Sequence, residues 1–258
     1  MKLVSLNTWG ATQGQPFFDY IKQQAKTTDI FCFQEIFLSQ PPAPKISSNA
    51  HMYLFQELEE MLVDFQGVFS ERSSGHDFKG HVDFPVFHGT AVFVKKAINI
   101  SQKSVEVIRP YLPEQEPIDG VSAAQVLVLD FGGKNLSVLN YHGPARPGNK
   151  LDTEERIKAS EKLKAVWQGL PSSAKILCGD FNLYPETQSV KILDALGKNL
   201  IKEFKIENTR NEVSWKRFNN KQYFADYIFV SPEVKVNNFE VPYNLVSDHL
   251  PMLLDFSL

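Results

Sequence analysis

The 258-residue chain has the length of one large domain or two small ones, and a mixed fold of this size is commonly one unit. Hydrophobic residues make up 43% and charged residues 22%, which are the values of a globular protein rather than a disordered or membrane one. The 27 basic and 30 acidic side chains give a net charge of −3. This balance argues against a long basic footprint on nucleic acid, although it allows a local basic rim.

The chain carries no sign of a membrane or secretory segment. No apolar stretch approaches the ~20 residues that cross a bilayer, and the N-terminal "MKLVSLNTWG" lacks an apolar region followed by a cleavage site. Cys32 and Cys178 lie in strand-like apolar runs, so we expect buried thiols of a reducing compartment. We therefore predict a cytoplasmic protein without stable membrane insertion, although a chain already cleaved from a signal peptide would look the same.

In the first part of the chain, two predicted helices alternate with two predicted strands. "KLVSLNT" is predicted to be a short strand, and "QPFFDYIKQQA" has the apolar spacing of a helix. "DIFCFQE" is predicted to be a strand buried on both faces. The Pro- and Ser-rich "SQPPAPKISSNA" must be a loop, after which "YLFQELEEMLVDF" predicts a helix of about three turns.

Six further strands follow: "FQGVFSE", "GTAVFVKK", "SVEVIRP", "AAQVLVLDF", "NLSVLNYH" and "AKILCGDF". "DFGGKN" predicts a tight hairpin, and "LDTEERIKASEKLKAVWQGL" predicts an amphipathic helix with Thr153 as its N-cap. A helix "ETQSVKILDALG" should end at Gly197, and "YFADYIFVS", "VKVNNFEV" and "PMLLDFSL" complete the strands. Hairpins together with crossing helices predict mixed sheets in a single domain, residues 1–258.

Several predicted strands end in polar residues that a core strand does not need. Taken singly, each has a structural explanation, such as a turn, a satisfied structural acid or a core histidine. One cation site would explain them together, because strand ends converge when a sheet packs. Carboxylate and amide oxygens favour Mg²⁺ or Mn²⁺ over zinc. The residues are Asn7, Glu35, His142, Asp180, Asn182, Asp226, Asp248 and His249.

Other chemistries lack their sequence signatures. The chain has no G-x-S-x-G elbow, no P-loop and no dinucleotide-binding glycine pattern. Ser247, Asp248 and His249 are consecutive, so they cannot stack as nucleophile, base and orienting acid. The residues therefore favour hard-metal chemistry with a histidine present.

Six segments resemble, in order, the motifs of the endonuclease/exonuclease/phosphatase superfamily, which is also called DNase-I-like. They are "SLNTWG", "DIFCFQE", "LNYHG", "CGDFNLYPET", "FADYIFVS" and "SDHLPM", and they span nearly the whole chain. The resemblance implies a four-layer α/β/β/α sandwich, in which two mixed β-sheets are flanked by helices. It also implies hydrolysis of a phosphoester that depends on a divalent metal.

The same resemblance implies the metal-site residues. Glu35 would bind Mg²⁺ or Mn²⁺, and Asn7 beside it would support the metal site. Asp248 would lie next to the metal as a ligand, either directly or through water. The number of metals stays open.

The catalytic roles are likewise implied by the motifs. Asp180 would orient and deprotonate the attacking water, and Asn182 would hold the water and the phosphate. His249 would contact the phosphoryl oxygens, with Asp226 fixing its tautomer. His142 would stabilise charge in the transition state.

We interpret the chain as a phosphodiesterase or nuclease acting on nucleic acid or nucleotides. A basic and aromatic rim formed by Arg146, Lys150, Trp215, Lys216 and Arg217 could hold phosphates and stack bases, although ordinary surface charge is an alternative. A phosphoinositide or phospholipid headgroup is a second substrate class that the motifs allow. A third hypothesis, an inactive binding module, would require an unseen fault in the geometry.

The segment 70–89, "SERSSGHDFKGHVDFPVFHG", matches no motif of the family. We expect a solvated connection, with a substrate-facing lid as the functional alternative. A separate metal site involving His76, Asp77, His81, Asp83 and His88 is the least favoured interpretation, because the spacing lacks a helical His pair or a cysteine.

Overall fold

The computed structural model describes residues 1–112, 117–214 and 221–258. The helices are α1 (Gln15–Ala25), α2 (Leu54–Met61), α3 (Glu154–Gly169), α4 (Gln188–Asp194) and α5 (Leu200–Glu203), and short 3-10 turns lie at Trp9–Ala11 and Pro117–Asp119. The first eight strands are β1 (Lys2–Asn7), β2 (Ile30–Ser39), β3 (Ile46–Ser47), β4 (Ala50–His51), β5 (Phe65–Ser74), β6 (His76–Asp77), β7 (Gly80–His81) and β8 (Val86–Lys95). The remaining strands are β9 (Asn99–Arg109), β10 (Ser122–Asp130), β11 (Asn135–His142), β12 (Ala174–Asp180), β13 (Lys198–Asn199), β14 (Asp226–Val230), β15 (Lys235–Glu240) and β16 (Met252–Ser257).

Two six-stranded mixed sheets form the centre of the fold. Their strand orders are β15-β16-β1-β2-β8-β5 and β13-β14-β12-β11-β10-β9. Each sheet has a parallel pair in its middle, β1 with β2 and β11 with β12, and the pairings around these are antiparallel. The mixed sheets predicted from the hairpin and helix patterns are confirmed.

The helices pack on the outer faces of the sheets. Residues of both sheets share one apolar cluster, to which α3 and α4 also contribute, whereas α1 and α2 pack on the outer side of β1 and β2. This is the four-layer α/β/β/α sandwich that the resemblance implied. The single-domain assignment agrees with the shared core and stays a prediction. No helix among the described residues is long and apolar enough to cross a membrane.

A buried polar contact joins the two sheets close to the end where the parallel strands finish. Gln34 Nε2 donates to Asn140 Oδ1 at 2.6 Å, and Asn140 Nδ2 donates to the Phe33 carbonyl at 2.9 Å. These bonds satisfy both ends of the buried Asn140 amide, so they fix how β2 and β11 face each other. Cys32 and Cys178 are buried free thiols, as the apolar runs predicted.

Local sequence signals placed most elements correctly. Thr153 caps α3 by accepting a hydrogen bond from the Arg156 backbone, and the "DFGGKN" hairpin joins β10 to β11. Helix ends were less accurate: α2 has only eight residues, and α4 ends at Asp194 rather than at Gly197. Such boundaries depend on tertiary packing more than on local propensity.

The expectation of a solvated connection over 70–89 was wrong for much of that segment. β5 continues to Ser74, and β8 starts at Val86, so both ends of the segment are paired strand. The middle forms the small hairpin β6–β7, whose Phe78 packs against Phe37 and His88. The strands were hidden because some of their inward-facing side chains are polar and line a cavity instead of the apolar core.

Candidate active site

The polar strand ends meet at one edge of the sandwich. Asn7, His142 and Asp180 end β1, β11 and β12, and parallel strands finish at the same edge of their sheets. Asp226 begins β14 and pairs with Asp180 in the antiparallel register, so it lies at the same edge. Gly179 allows β12 to lie close to β11 at this edge, because a Cβ at position 179 would lie 1.9 Å from the Tyr141 carbonyl oxygen.

Glu35 projects from an irregular point in β2. The β2–β8 register shifts between Gln34 and Ile36, and Glu35 has a φ of 56°, in the left-handed region that non-glycine residues rarely occupy. Burial, followed by the nearby negative charge of Asp248, raises the pKa of Glu35 to about 7. The carboxylate therefore lies where negative charge is poorly compensated.

Asn7 connects two of the predicted acids. Its Nδ2 donates to Glu35 Oε1 and to Asp180 Oδ2, each at 3.0 Å, and its Oδ1 accepts from the Trp9 backbone N–H at 3.0 Å. In this orientation, which rests on the hydrogen-bond network, the amide is a donor to the acids. Ser247 Oγ donates to the Asn7 carbonyl at 2.7 Å, so the C-terminal loop is fastened to β1 at the site.

Asp180 is the central acid of the cluster. It is 1% exposed, and its Oδ1 accepts from the backbone N–H of Asn182 at 2.8 Å. Although burial opposes ionisation, the charges of His249 and Lys150 hold the pKa of Asp180 well below its ordinary value. Asp180 is therefore a carboxylate throughout the neutral pH range.

His249 and Asp226 form a directed pair. His249 Nδ1 lies 2.9 Å from both carboxylate oxygens of Asp226, and its Nε2 lies 3.7 Å from Asp180 Oδ2. Because a carboxylate can only accept, the pair places a hydrogen on Nδ1. Although burial disfavours the charged ring, Asp226 raises the pKa of His249. Thr209 Oγ1 holds Asp226 in place by accepting from its backbone N–H at 3.1 Å.

His142 is paired with a cation, whereas His249 is paired with a carboxylate. Arg72 NH1 contacts His142 Nδ1, and His142 Nε2 lies 3.6 Å from Asp180 Oδ2 and 3.9 Å from Glu35 Oε1. Arg72 is itself fixed by the carbonyls of Val121 and Asp119, at 2.7 and 3.0 Å. Burial, followed by the charge of Arg72, holds the pKa of His142 well below its ordinary value. The ring is therefore neutral.

Asp248 is held by a cation that sequence reasoning missed. Arg210 NH2 donates to Asp248 Oδ2 at 2.9 Å, and both side chains are nearly buried. Arg210 NH1 reaches Gln222 Oε1 at 3.3 Å, and the backbone of Arg210 bridges to His249. Asp248 therefore has an ion-pair partner in addition to its predicted place beside a metal.

Of the predicted substrate rim, Lys150 and Arg146 reach the site. Lys150 is 3% exposed, and its Nζ donates to Asn182 Oδ1. Arg146 is largely exposed, with its Nε 3.7 Å from Asp119 Oδ2. Trp215 and Arg217, together with Lys216, lie outside the described residues.

Most of these side chains line one cavity of about 470 Å³, and Asn7 and Asp226 contact residues of its lining. The chain matches the model of the Endonuclease/Exonuclease/phosphatase family over residues 4–249. The chain belongs to this family. The activities in the family's name all break phosphate ester bonds, so the chain is related to phosphoester hydrolases.

Solved structures of the family share the fold at low sequence identity. A family protein from Leptotrichia buccalis is 18% identical, with a TM-score of 0.72 over 100% of each chain. A mannosyl-6-phosphatase from Bacteroides thetaiotaomicron is also 18% identical, with a TM-score of 0.67 over 100% of each chain. The human nocturnin catalytic domain, with a bound sulfate, is 18% identical, with a TM-score of 0.69 over 100% of this chain and 93% of that one. No curated protein sequence matches the chain.

The residues present fit the divalent cation that the family implies. Ligand atoms of Glu35, His142 and Asp180 lie within 4.8 Å of one another, and so do those of Asp180, Asp226 and His249. Glu35 faces Asp180 and Asp248 with no ammonium or guanidinium within 4.0 Å among the described residues, which leaves negative charge for a cation to neutralise. Oxygen donors of this kind suit Mg²⁺ or Mn²⁺.

Several cavity residues had no recognisable signal in the sequence. Arg72 and Arg210 lie on segments far in sequence from the residues they contact. Phe78 could have been singled out only by knowing which segments meet. Trp9 lies in the "SLNTWG" motif without an assigned role, and His88 was considered only for a separate metal site. The lining residues outside the motifs are Arg72, Phe78, His88, Ile118, Asp119, Arg210 and Gln222.

Proposed function

We propose that this chain is a divalent-metal-dependent phosphoester hydrolase that acts on nucleotides or nucleic acid. The observation that carries the proposal is the placement of Asp180 between two imidazoles. His249 Nε2 lies 3.7 Å and His142 Nε2 lies 3.6 Å from Asp180 Oδ2, with Glu35 beside them. A permanently ionised acid flanked by two donors suits water attack on phosphorus.

Asp180 is the residue that we assign to the attacking water. Its ionised state allows it to accept a hydrogen from water, and the Asn182 backbone fixes one of its oxygens at 2.8 Å. Asn182 has a φ of 54°, and this left-handed backbone places its N–H on Asp180 while its side chain meets Lys150. Asn182 therefore positions the water and a phosphoryl oxygen.

The two histidines supply donors toward the phosphoryl oxygens, His249 as the imidazolium that pairs with Asp226 and His142 as the neutral ring. Asp226 holds His249 so that its Nε2 points at Asp180, where phosphate would lie. His142, neutral and with Nδ1 occupied by Arg72, presents an Nε2–H on the other side. Preorganised donors of this kind stabilise charge that develops in the transition state.

Glu35 and Asp180 are the residues that we assign to the metal, with Asp248 adjacent. When bound, the cation would offset the negative charge of the phosphoryl oxygens. Asn7 would keep the two carboxylates at a fixed spacing through its pair of hydrogen bonds.

The substrate class rests on the cationic wall of the cavity. Lys150 and Arg146 lie on the loop after β11, and Arg210 is linked to the same loop through Gln222, which donates to the Gly148 carbonyl. Cations so placed favour an anionic substrate that enters the cavity, as a nucleotide or nucleic acid end does. Phosphorylated headgroups are the alternative that the assay must separate.

The test is hydrolysis of a panel of nucleotides, oligonucleotides, phosphorylated headgroups and generic aryl phosphoesters, with EDTA and with added Mg²⁺ or Mn²⁺. EDTA should abolish hydrolysis, and the addition of either cation should restore it. Asp180→Ala and His249→Ala should each lower turnover at least ~10²-fold while the fold survives. Asp64→Ala is the control, because Asp64 is exposed and outside the cavity lining. Near-full activity of either site variant would refute the assignment.

A further inference from the structure

The charged groups of the cavity wall cancel before any ligand is bound. The described lining contains four carboxylates, Glu35, Asp119, Asp180 and Asp248, and four cations, Arg72, Arg146, Lys150 and Arg210. The His249–Asp226 pair adds no net charge in its ion-pair form. A divalent cation at Glu35 and Asp180 would leave the wall with two positive charges.

Those two charges can be assigned to particular side chains. Arg210 is paired with Asp248 and Arg146 with Asp119. Lys150 and Arg72, by contrast, have no carboxylate within 4.0 Å anywhere in residues 1–112, 117–214 and 221–258. Both are nearly buried, so their charges are not screened by water.

Lys150 is the more informative of the two. It is 3% exposed, its backbone has a φ of 59°, and, within the described part of the chain, its ammonium donates only to the neutral amide oxygen of Asn182. Burial, followed by the charge of Arg210, lowers the pKa of Lys150 to about 8. Burying the Lys150 ammonium near the Arg210 guanidinium costs free energy unless an anion binds between them. The position of Lys150 therefore suits an anionic group bound at Asn182.

Arg72 contributes its charge while each of its nitrogens already donates one hydrogen bond to a protein group. Its three nitrogens are used by Val121, His142 and Asp119. Its charge nevertheless acts on the same cavity, because Arg72 contacts His142, whose Nε2 lies 3.6 Å from Asp180 Oδ2. Each of the two unpaired cations therefore contacts a residue of the site, Arg72 through His142 and Lys150 through Asn182.

We propose that the site selects a phosphomonoester dianion, a terminal phosphate, over a phosphodiester monoanion, with Lys150 as the specificity-determining residue. A dianion balances the two positive charges of the metal-loaded wall, whereas a diester leaves one buried charge uncompensated. This inference rests on the proposed function and narrows its substrate to nucleotides, or other small molecules, with a terminal phosphate. Water adds to phosphorus, the ester P–O bond breaks, and the leaving alcohol takes the proton that water gives up.

Part of the cavity wall is uncharged. Phe78, Ile118 and His88 line it, and burial holds the pKa of His88 at about 3, so that ring is neutral. The Ile118 backbone approaches His88 without the geometry of a hydrogen bond. These three residues offer an uncharged surface for the alcohol part of the ester.

The activity test compares matched esters, p-nitrophenyl phosphate with bis(p-nitrophenyl) phosphate, and an oligonucleotide with and without a terminal phosphate. Nucleoside monophosphates and hexose phosphates form separate arms that identify the source of the monoester. The wild type should hydrolyse monoesters at least ~10-fold faster, in kcat/KM, than the matched diesters. Lys150→Gln should lower monoester kcat/KM by about 10²-fold and the diester value by less than ~3-fold. Lys150→Arg should keep much of the preference, and exposed Lys103→Gln should change nothing.

A metal-free measurement separates this inference from the proposed function. In EDTA, inorganic phosphate binding, followed by calorimetry, should weaken at least ~5-fold in Lys150→Gln and stay unchanged in Lys103→Gln. Equal loss of monoester and diester hydrolysis, or a diester preference in the wild type, would overturn the inference while leaving hydrolysis intact. No metal-dependent hydrolysis of any ester would instead overturn the proposed function. If Lys150→Gln fails to fold, the same measurements on Lys150→Met, together with the ester preference of the wild type, test the inference.

Discussion

Arg72 fixes the hydrogen of His142. A guanidinium can only donate hydrogen bonds, so Nδ1 of His142 must accept from NH1 of Arg72, and the neutral ring carries its hydrogen on Nε2. That Nε2 faces Asp180 at 3.6 Å and Glu35 at 3.9 Å. The contact makes His142 a fixed donor into the site rather than an acid that loses and regains its proton.

Replacing Arg72 should therefore change the tautomer of His142. In Arg72→Gln, the side-chain amide can either donate or accept, so we expect a mixed population of ring tautomers and a fall in kcat of about 10-fold or more. Nitrogen-15 NMR of the imidazole reports the tautomer directly, and KM should change less than kcat. An unaltered Nε2–H tautomer in a folded variant would show that Arg72 has only a structural role.

Metal affinity should depend on pH through Glu35. The pKa of Glu35 is about 7 without metal, and a bound cation requires the carboxylate. Below pH 7 the cation must displace a proton, so the apparent affinity should rise by up to about tenfold per pH unit toward 7 and level off above it. Calorimetry with Mn²⁺ at several pH values measures this. Glu35→Gln should lose both the affinity and the pH dependence, and a flat profile in the wild type would contradict the prediction.

Without metal, Glu35 should also destabilise the fold at high pH. Its folded pKa of about 7 exceeds the unfolded value near 4.5, so the folded state binds more protons in this window and its stability falls as pH rises through it. The shift corresponds to about 3 kcal/mol, or about 2 kcal/mol after allowing for the one-fifth exposure of the side chain. In EDTA, Glu35→Gln should therefore be more stable than the wild type at pH 8 and nearly equal at pH 4.5, in urea unfolding. Equal stability of Glu35→Gln and the wild type at both pH values would contradict this prediction.

Asp226→Asn should impair the orientation of His249. The aspartate accepts from Nδ1 at 2.9 Å, whereas an asparagine can present its NH₂ group and favour the other tautomer. We expect kcat to fall by about 10²-fold or more with little change in KM, because the substrate contacts of Lys150 remain. Steady-state kinetics with a circular dichroism check of folding measures this. If the variant instead has a raised KM and an unchanged kcat, Asp226 acts in substrate binding.

Arg156 should determine how well the loop after β11 holds substrate. Its buried guanidinium donates to the carbonyls of Leu151, Pro147 and Pro144 at 2.6, 2.7 and 3.1 Å, and this loop carries Lys150. Arg156→Met should raise KM more than it lowers kcat and should cost about 2–4 kcal/mol of stability.

Lys162→Met provides a matched control on the exposed face of α3. Steady-state kinetics and urea unfolding of both variants measure the difference. An unchanged KM in a folded Arg156→Met variant would show that the loop keeps its shape without the arginine.

The sequence was sufficient for the framework of the site because its residues end or begin strands. Strand periodicity, together with the polar residues that follow each strand, was enough to predict that Asn7, Glu35, His142 and Asp180 share one edge. The family motifs supplied the order and the roles. The fold brings these four side chains together through the two parallel strand pairs.

What the sequence could not supply were contacts between distant segments. Arg72 meets His142 across 70 residues, and Arg210 meets Asp248 across 38. Neither arginine lies in a motif, and each was indistinguishable from surface charge because the solvent exposure of a cation is set by tertiary packing. The donor orientation of Asn7 was equally invisible, since an amide can present either face to a neighbour.

The bond from Ser247 to the Asn7 carbonyl joins residues 240 positions apart, and the N-terminal amino group of Met1 reaches the Phe256 carbonyl at 2.8 Å. β1 also needs β16 as its neighbour in the sheet. A growing polypeptide therefore contains most of the side chains that we assign to catalysis before β1 has its neighbour in the sheet. We expect hydrolysis only once β16 has been made and pairs with β1, so activity would report that synthesis has passed this strand and that the sheet has folded.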